Sequence, residues 1–224
     1  MKKNNYNSMD EFSEGTLACA NEIALYHYYR NLEENIFFIS GEITSDILDS
    51  IAIPLLKADE KNFQPIEIKG VNGNGESVYL GQTIPEPKPI TIYVNTEGGD
   101  AYSGFILCDI ISKIKSPTTI HVLSFAGSMG AYILLAGAHN ENVHRKCHFF
   151  SSALIHDGSN AIQGTNAQIK DYHNFLDKYR KKIKKFVLAN SEISEKQYEN
   201  LERHEWYMTA EEMLEYGLVD EIIE

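Results

Sequence analysis

Apolar and polar positions along the chain follow two periods in turn. Ile36-Phe37-Phe38-Ile39-Ser40-Gly41 is a short apolar, β-prone run closed by glycine, and predicts a buried strand. Ser45, or Thr44, then stands ahead of Asp46 to Leu56, where apolar residues recur at helical spacing under a hydroxyl cap. Ile90 to Asn95 and His121 to Phe125 predict two more strands. Each runs into a glycine-containing turn and then a helix, the first over about 101–114 and the second over 132–138. Cys147 to Phe150 and Ala153 to His156 predict further strands. Helical spacing returns over 165–190, 194–204 and 208–216, where Gly217 closes it, and Leu218 to Ile223 predicts a last strand. Strands alternating with helices imply an α/β fold on a parallel sheet built of βα units.

Two stretches depart from this rhythm. Residues 1–15 are polar, and 18–33 mix apolar and polar positions as a helix or an arm would; residues 1–28 are read as a flexible N-terminal arm and 29–224 as one domain. Residues 61–89 carry four prolines and four glycines, with Ile66-Glu67-Ile68 and Val78-Tyr79-Leu80 on either side of Gly70 to Gly75. Two short runs around Asn/Gly chemistry predict a β-hairpin insertion.

Composition narrows the functional classes. Hydrophobic residues make up 43% of the chain, which excludes a wholly disordered protein. The formal net charge of −12 disfavours duplex nucleic acid and anionic membrane surfaces, since both need concentrated positive charge. No apolar run is long enough to span a membrane, and the N-terminus lacks the apolar stretch of a signal peptide. Cys19, Cys108 and Cys147 have no paired spacing, so they read as idle thiols in a reducing compartment, the cytoplasm. No His-Glu-x-x-His pattern occurs, and neither a metal nor a cofactor is expected.

The candidate chemistry sits in the two turns. Gly98-Gly99 ends one strand, and Gly127-Ser128-Met129-Gly130 ends the next and opens an apolar helix. Ligands of open α/β sheets bind at the carboxyl ends of strands, where helix N-termini offer unpaired N–H groups. The amides of Gly99 and Met129, side by side, could face one oxygen, which is the arrangement of an oxyanion hole. Gly-Gly is equally the material of a tight turn, and Ser128 that of a helix cap. A serine nucleophile also needs a base within reach and a group to orient that base. Of eight histidines, His156 is the one that closes an apolar strand at its carboxyl end.

Together these residues resemble the proteolytic subunit of the Clp proteases. The likeness rests on Ile92-Tyr93-Val94-Asn95-Thr96-Glu97-Gly98-Gly99, where Thr-Glu replaces the usual Ser-Pro, and on Gly127-Ser128-Met129-Gly130-Ala131. It rests also on Leu154-Ile155-His156 and on Ala210 to Asp220, with Tyr216-Gly217-Leu218-Val219-Asp220 at its end. It spans about 29–223 and is interrupted at 61–89. What it implies is a Clp/crotonase-like fold and a serine endopeptidase acting on peptides or unfolded proteins. By the same resemblance Ser128 is the nucleophile, His156 the base and Glu205 the third member, in the place of the family's Asp. Asn200 and Glu202 are the fallback acids or amides. Residues 165–190 take the place of the protruding handle helix that joins heptameric rings into a tetradecamer, and Gly158 to Gly164 that of a substrate-pairing strand. The implied partners are further copies of the chain and a Clp-type ATPase, whose docking strand here has Tyr93 but Thr91 where a second aromatic is usual. Two other readings stay open: a non-catalytic ring subunit, prompted by the exchanged acid, and a crotonase-type acyl-CoA enzyme sharing the two-amide oxyanion hole.

Overall fold

The computed structural model describes residues 25–159, 161–201 and 204–223. Most of the arm expected over 1–28, Cys19, Asn160 and Glu202 therefore lie outside the described residues; residues 25–28 already belong to a helix, α1, over 25–33. The architecture is α/β, with a mostly parallel central sheet between helices.

Strands β1 (Ile36–Ile43), β4 (Ile90–Gly99), β5 (Thr118–Gly127) and β6 (Val143–His148) lie side by side in parallel, with β9 (Glu221–Ile223) beyond β6. The connections are helical: α2 (Ile53–Asn62) after β1, α3 (Ala101–Ile111) after β4 and α4 (Met129–Ala136) after β5. β4 buries every second residue, Ile90, Ile92, Val94 and Thr96, as a half-covered strand must. All eight residues of α4 are buried, which is why its sequence is apolar all round rather than striped.

The helix expected over 46–56 starts later and differently. Leu48–Ala52 is a π-helical turn leading into α2, and no side chain caps it. Pro54 accounts for this, because a proline inside a helix lacks an N–H and presses on the preceding turn. The wider turn, in which the Ile53 N–H donates to the Leu48 carbonyl, absorbs it. The strand expected over 147–150 is also displaced. β6 ends at His148, and Phe149 and Phe150 form a turn in which Phe150 is 91% exposed. Their β propensity lost to the need to carry the chain from β6 to β7 (Ser152–Ile155).

That short passage matters. β5 pairs with β6 through Thr118–Val122 and with β7 through Phe125–Gly127, so the sheet divides along β5. Buried Ser151 bridges the division: its hydroxyl accepts from the His148 N–H and donates to the Val122 carbonyl. β8 (Trp206–Met208) then adds to β7 antiparallel. α5 (Asn166–Ala189) fills the span expected for a long helix, held at its start by a Thr165/Gln168 capping box. Next come α6 (Glu195–Leu201) and, in place of a helix from 208, the shorter α7 (Ala210–Glu215), capped by Thr209 and Glu212.

The expected hairpin is present as β2 (Ile66–Val71) and β3 (Ser77–Thr83), an antiparallel ribbon outside the main sheet. The described residues of 157–164, by contrast, form no strand; Gly158 has φ of +80°, which turns the chain out of extended conformation. Cys108 and Cys147 are buried and unpaired, and burial pushes the Cys147 thiol up to about 11.

The C-terminal segment is tied to the sheet by Arg145, which is 5% exposed. Its guanidinium donates to both carboxylate oxygens of Asp220 and to the Gly217 carbonyl. Removing one member of such a pair strands the other charge. Asp220→Ala, which strands the buried guanidinium, is therefore expected to cost about 3 kcal/mol in urea unfolding, and Asp220→Ala combined with Arg145→Met appreciably less.

Candidate active site

The site is assembled by strand register. β5 and β7 are parallel neighbours, Ala126 opposite Ala153 and Gly127 opposite Leu154, and both end within two residues of that pairing. The Ser128 N–H donates to the Leu154 carbonyl at 2.7 Å, extending the ladder by one bond. Ser128 and His156 thus leave the sheet together. Their side chains meet, with Ser128 Oγ 2.9 Å from His156 Nε2. β8 runs back along β7 with Ile155 opposite Trp206, so the next step of the register sets Glu205 beside His156. Glu205 Oε1 lies 3.8 Å from His156 Nδ1, an ion-pair distance longer than a hydrogen bond. Its other oxygen accepts from the Tyr207 hydroxyl at 3.0 Å, and the carboxylate raises that phenol's pKa above its ordinary value.

Ser128 holds the N-cap position of α4 but does not cap it with its side chain. It precedes α4, but its hydroxyl makes no capping bond and its backbone is at φ +50°, ψ −112°, a region that costs a non-glycine residue free energy. The strained turn directs the hydroxyl at His156 instead. Small neighbours make the turn possible. A β-carbon on Gly98 would stand 2.6 Å from Ser128 Cβ and 2.7 Å from the Gly127 carbonyl oxygen, and one on Gly127 would stand 2.9 Å from the Glu97 carbonyl oxygen. Gly98 and Gly99 also have φ of +98° and +146°.

The two residues expected to supply amides line the same pocket as the hydroxyl. Gly99 pairs with Ile43, and it is the Asp100 N–H that donates to the Ile43 carbonyl. In a parallel ladder this turns the Gly99 N–H to the opposite side of β4. Met129 is the first residue of α4, where an N–H has no partner within the helix. Ser128, Met129, Gly99 and His156 line one open pocket of about 420 Å³. Its far wall is aromatic and apolar: Tyr102, Phe105 and Tyr132, with Tyr172, Leu176 and Tyr179 of α5. An ion pair of Asp157 with Arg180 at 3.3 Å ties α5 to the segment after His156.

Of the residues singled out in the sequence, Ser128, His156, Gly99, Met129 and Glu205 come together. Asn200 lies in α6, and it is Glu205 that follows the register opposite His156. Tyr207 was not foreseen; a three-residue strand carries too short a pattern to be read.

Two comparisons with known proteins place the chain. Residues 78–224 match the family model described as Clp protease. A curated relative, the ATP-dependent Clp protease proteolytic subunit of Deinococcus radiodurans, is 27% identical over 198 residues, covering 88% of this chain and 84% of the relative.

The glycine contacts make a direct prediction. Gly98→Ala should force the 128 turn away and part Ser128 from His156 beyond roughly 3.5 Å in a crystal structure, with a fall in Tm. Gly73→Ala, at a position with open space around it, should leave both unchanged.

Proposed function

Since the chain belongs to the Clp protease family, we propose that it is a serine-type endopeptidase subunit that hydrolyses peptide bonds in peptides or unfolded proteins. The observation that carries this reading is the 2.9 Å contact of Ser128 Oγ with His156 Nε2 at the paired ends of β5 and β7. In this reading His156 Nε2 takes the hydroxyl proton as Ser128 Oγ attacks the scissile carbonyl. The Gly99 and Met129 amides hold the oxyanion. His156 then gives its proton to the leaving amine, and a water repeats the sequence to free the enzyme. Glu205 faces the imidazolium across 3.8 Å and stabilises it by charge, without fixing the ring by a hydrogen bond. The aromatic pocket wall offers an apolar side chain of the substrate a place beside Ser128.

We propose further that the subunit works in the cytoplasm in a heptameric or tetradecameric ring with a Clp-type ATPase. α5 supports the ring: of its 24 residues only Leu176 and Val187 are buried, while Tyr172 and Phe175 remain exposed. Aromatic side chains left open on a long helix are suited to burial against another copy. The second reading, a ring subunit without turnover of its own, draws on the long Glu205–His156 distance.

Activity separates the two. A fluorophosphonate probe should label Ser128 and cease to do so in Ser128→Ala, and pure protein should cleave fluorogenic peptides; labelling elsewhere, or no cleavage except in mixed rings, would favour the second reading. Because Glu205 is not hydrogen-bonded to His156, Glu205→Gln should lower kcat by roughly tenfold to a thousandfold, less than the ~10⁴-fold loss of a fully hydrogen-bonded triad.

A further inference from the structure

A row of rings crosses one face of the sheet from β1 to β6. Phe38 on β1 stacks on Tyr93 of β4, with centroids 5.1 Å apart, and Tyr93 lies 5.5 Å from His121 of β5. His121 lies 4.7 Å from His148 at the end of β6. The last two rings meet through their Nε2 atoms at 3.1 Å.

The 3.1 Å contact is a hydrogen-bond distance, and the centroids report how far the two rings are inclined to it. A linear N–H···N bond of this length would hold the two centroids about 5.4 Å apart. An ion bound in the line of each ring at about 2.1 Å, with the nitrogens at this spacing, would hold them about 4.8 Å apart. The observed 4.7 Å excludes the linear bond; it is met by a bent hydrogen bond and equally by two rings sharing one ion, for which the same construction gives an angle near 95° at the ion. We propose that His121 and His148 form a two-imidazole site for a divalent transition-metal ion. Imidazole nitrogen suits copper, nickel and zinc ions, and cis coordination near a right angle suits the first two.

In the pair one Nε2 carries a proton and the other accepts it. On binding, that proton moves to the Nδ1 of its own ring, both Nε2 lone pairs are free for the ion, and no net proton is released. Both rings stand on paired strands, so the site is preorganised by the sheet. Among the described residues no cluster of three or more His, Cys, Asp or Glu has metal-binding geometry, so water completes the coordination. The Lys146 ammonium, on the same face of β6, opposes the ion and keeps the affinity modest. His144 and His148 are four apart, a ligand spacing on a helix, but on β6 that spacing is roughly 13 Å, and His144 is engaged by Glu221.

Untagged full-length protein titrated with Ni²⁺ by calorimetry, and with Cu²⁺ by electron paramagnetic resonance, tests the site. One Ni²⁺ per chain and two-nitrogen ligation of Cu²⁺ are expected. His121→Ala or His148→Ala should each weaken binding about tenfold or more, and His144→Ala should leave it unchanged. His148→Gln keeps a polar group against His121 and guards against a folding artefact; it should also lose the ion. No binding at millimolar Ni²⁺, or binding that both single variants retain, would overturn the proposal, as would an equal loss in His144→Ala.

Discussion

The pairing of β7 between β5 and β8 is the constraint on which the arrangement depends. Three strand ends meet there, and hydrogen-bond register alone decides which side chains face one another. Gly127 opposite Leu154, the Ser128 N–H on the Leu154 carbonyl and Ile155 opposite Trp206 set hydroxyl, imidazole and carboxylate in line. A slip of one residue in either pairing would turn the alternate face of each strand to the site and undo it. Ser151, which spans the division of β5 between β6 and β7, secures the first of these registers by side-chain bonds where the ladder has none.

The second determinant is steric. The Ser128 turn lies against Gly98 and Gly127 so closely that the backbone itself forms the wall of the site. This proximity sets the end of β4 and the start of α4 on either side of the hydroxyl. Thr96 steadies the same corner, its hydroxyl donating to the Gly41 carbonyl and accepting from the Gly98 N–H. The carboxylate is the least constrained member. Glu205 approaches His156 only to 3.8 Å, and Tyr207, two residues on along β8, holds its other carboxylate oxygen.

What could be read from the sequence follows the range of each interaction. Long, strongly periodic segments such as β4 and α5 were legible, and Thr165 and Gln168 mark the start of α5 because a capping box is local. The glycine turns, Ser128 and His156 stood out for the same local reason, and the resemblance joined them. The π-turn before Pro54, the shift of β6 and the whole of β8 depend on packing between distant segments, and no window of sequence contains it. The His121–His148 contact belongs to this second kind, since 27 residues separate two side chains that only sheet pairing unites.

The β2–β3 ribbon bears on how the molecule comes apart. It is paired only with itself, and Ile66, Ile68, Tyr79 and Leu80 are all exposed. Two strands without a third, or a helix beneath them, have little cooperative stability of their own. The ribbon's amides would accordingly exchange with solvent deuterium by local opening, independently of global unfolding. Fraying there would leave β5, β7 and β8 intact, so that a chain nicked by a protease between Val71 and Ser77 would keep its sheet and its pocket.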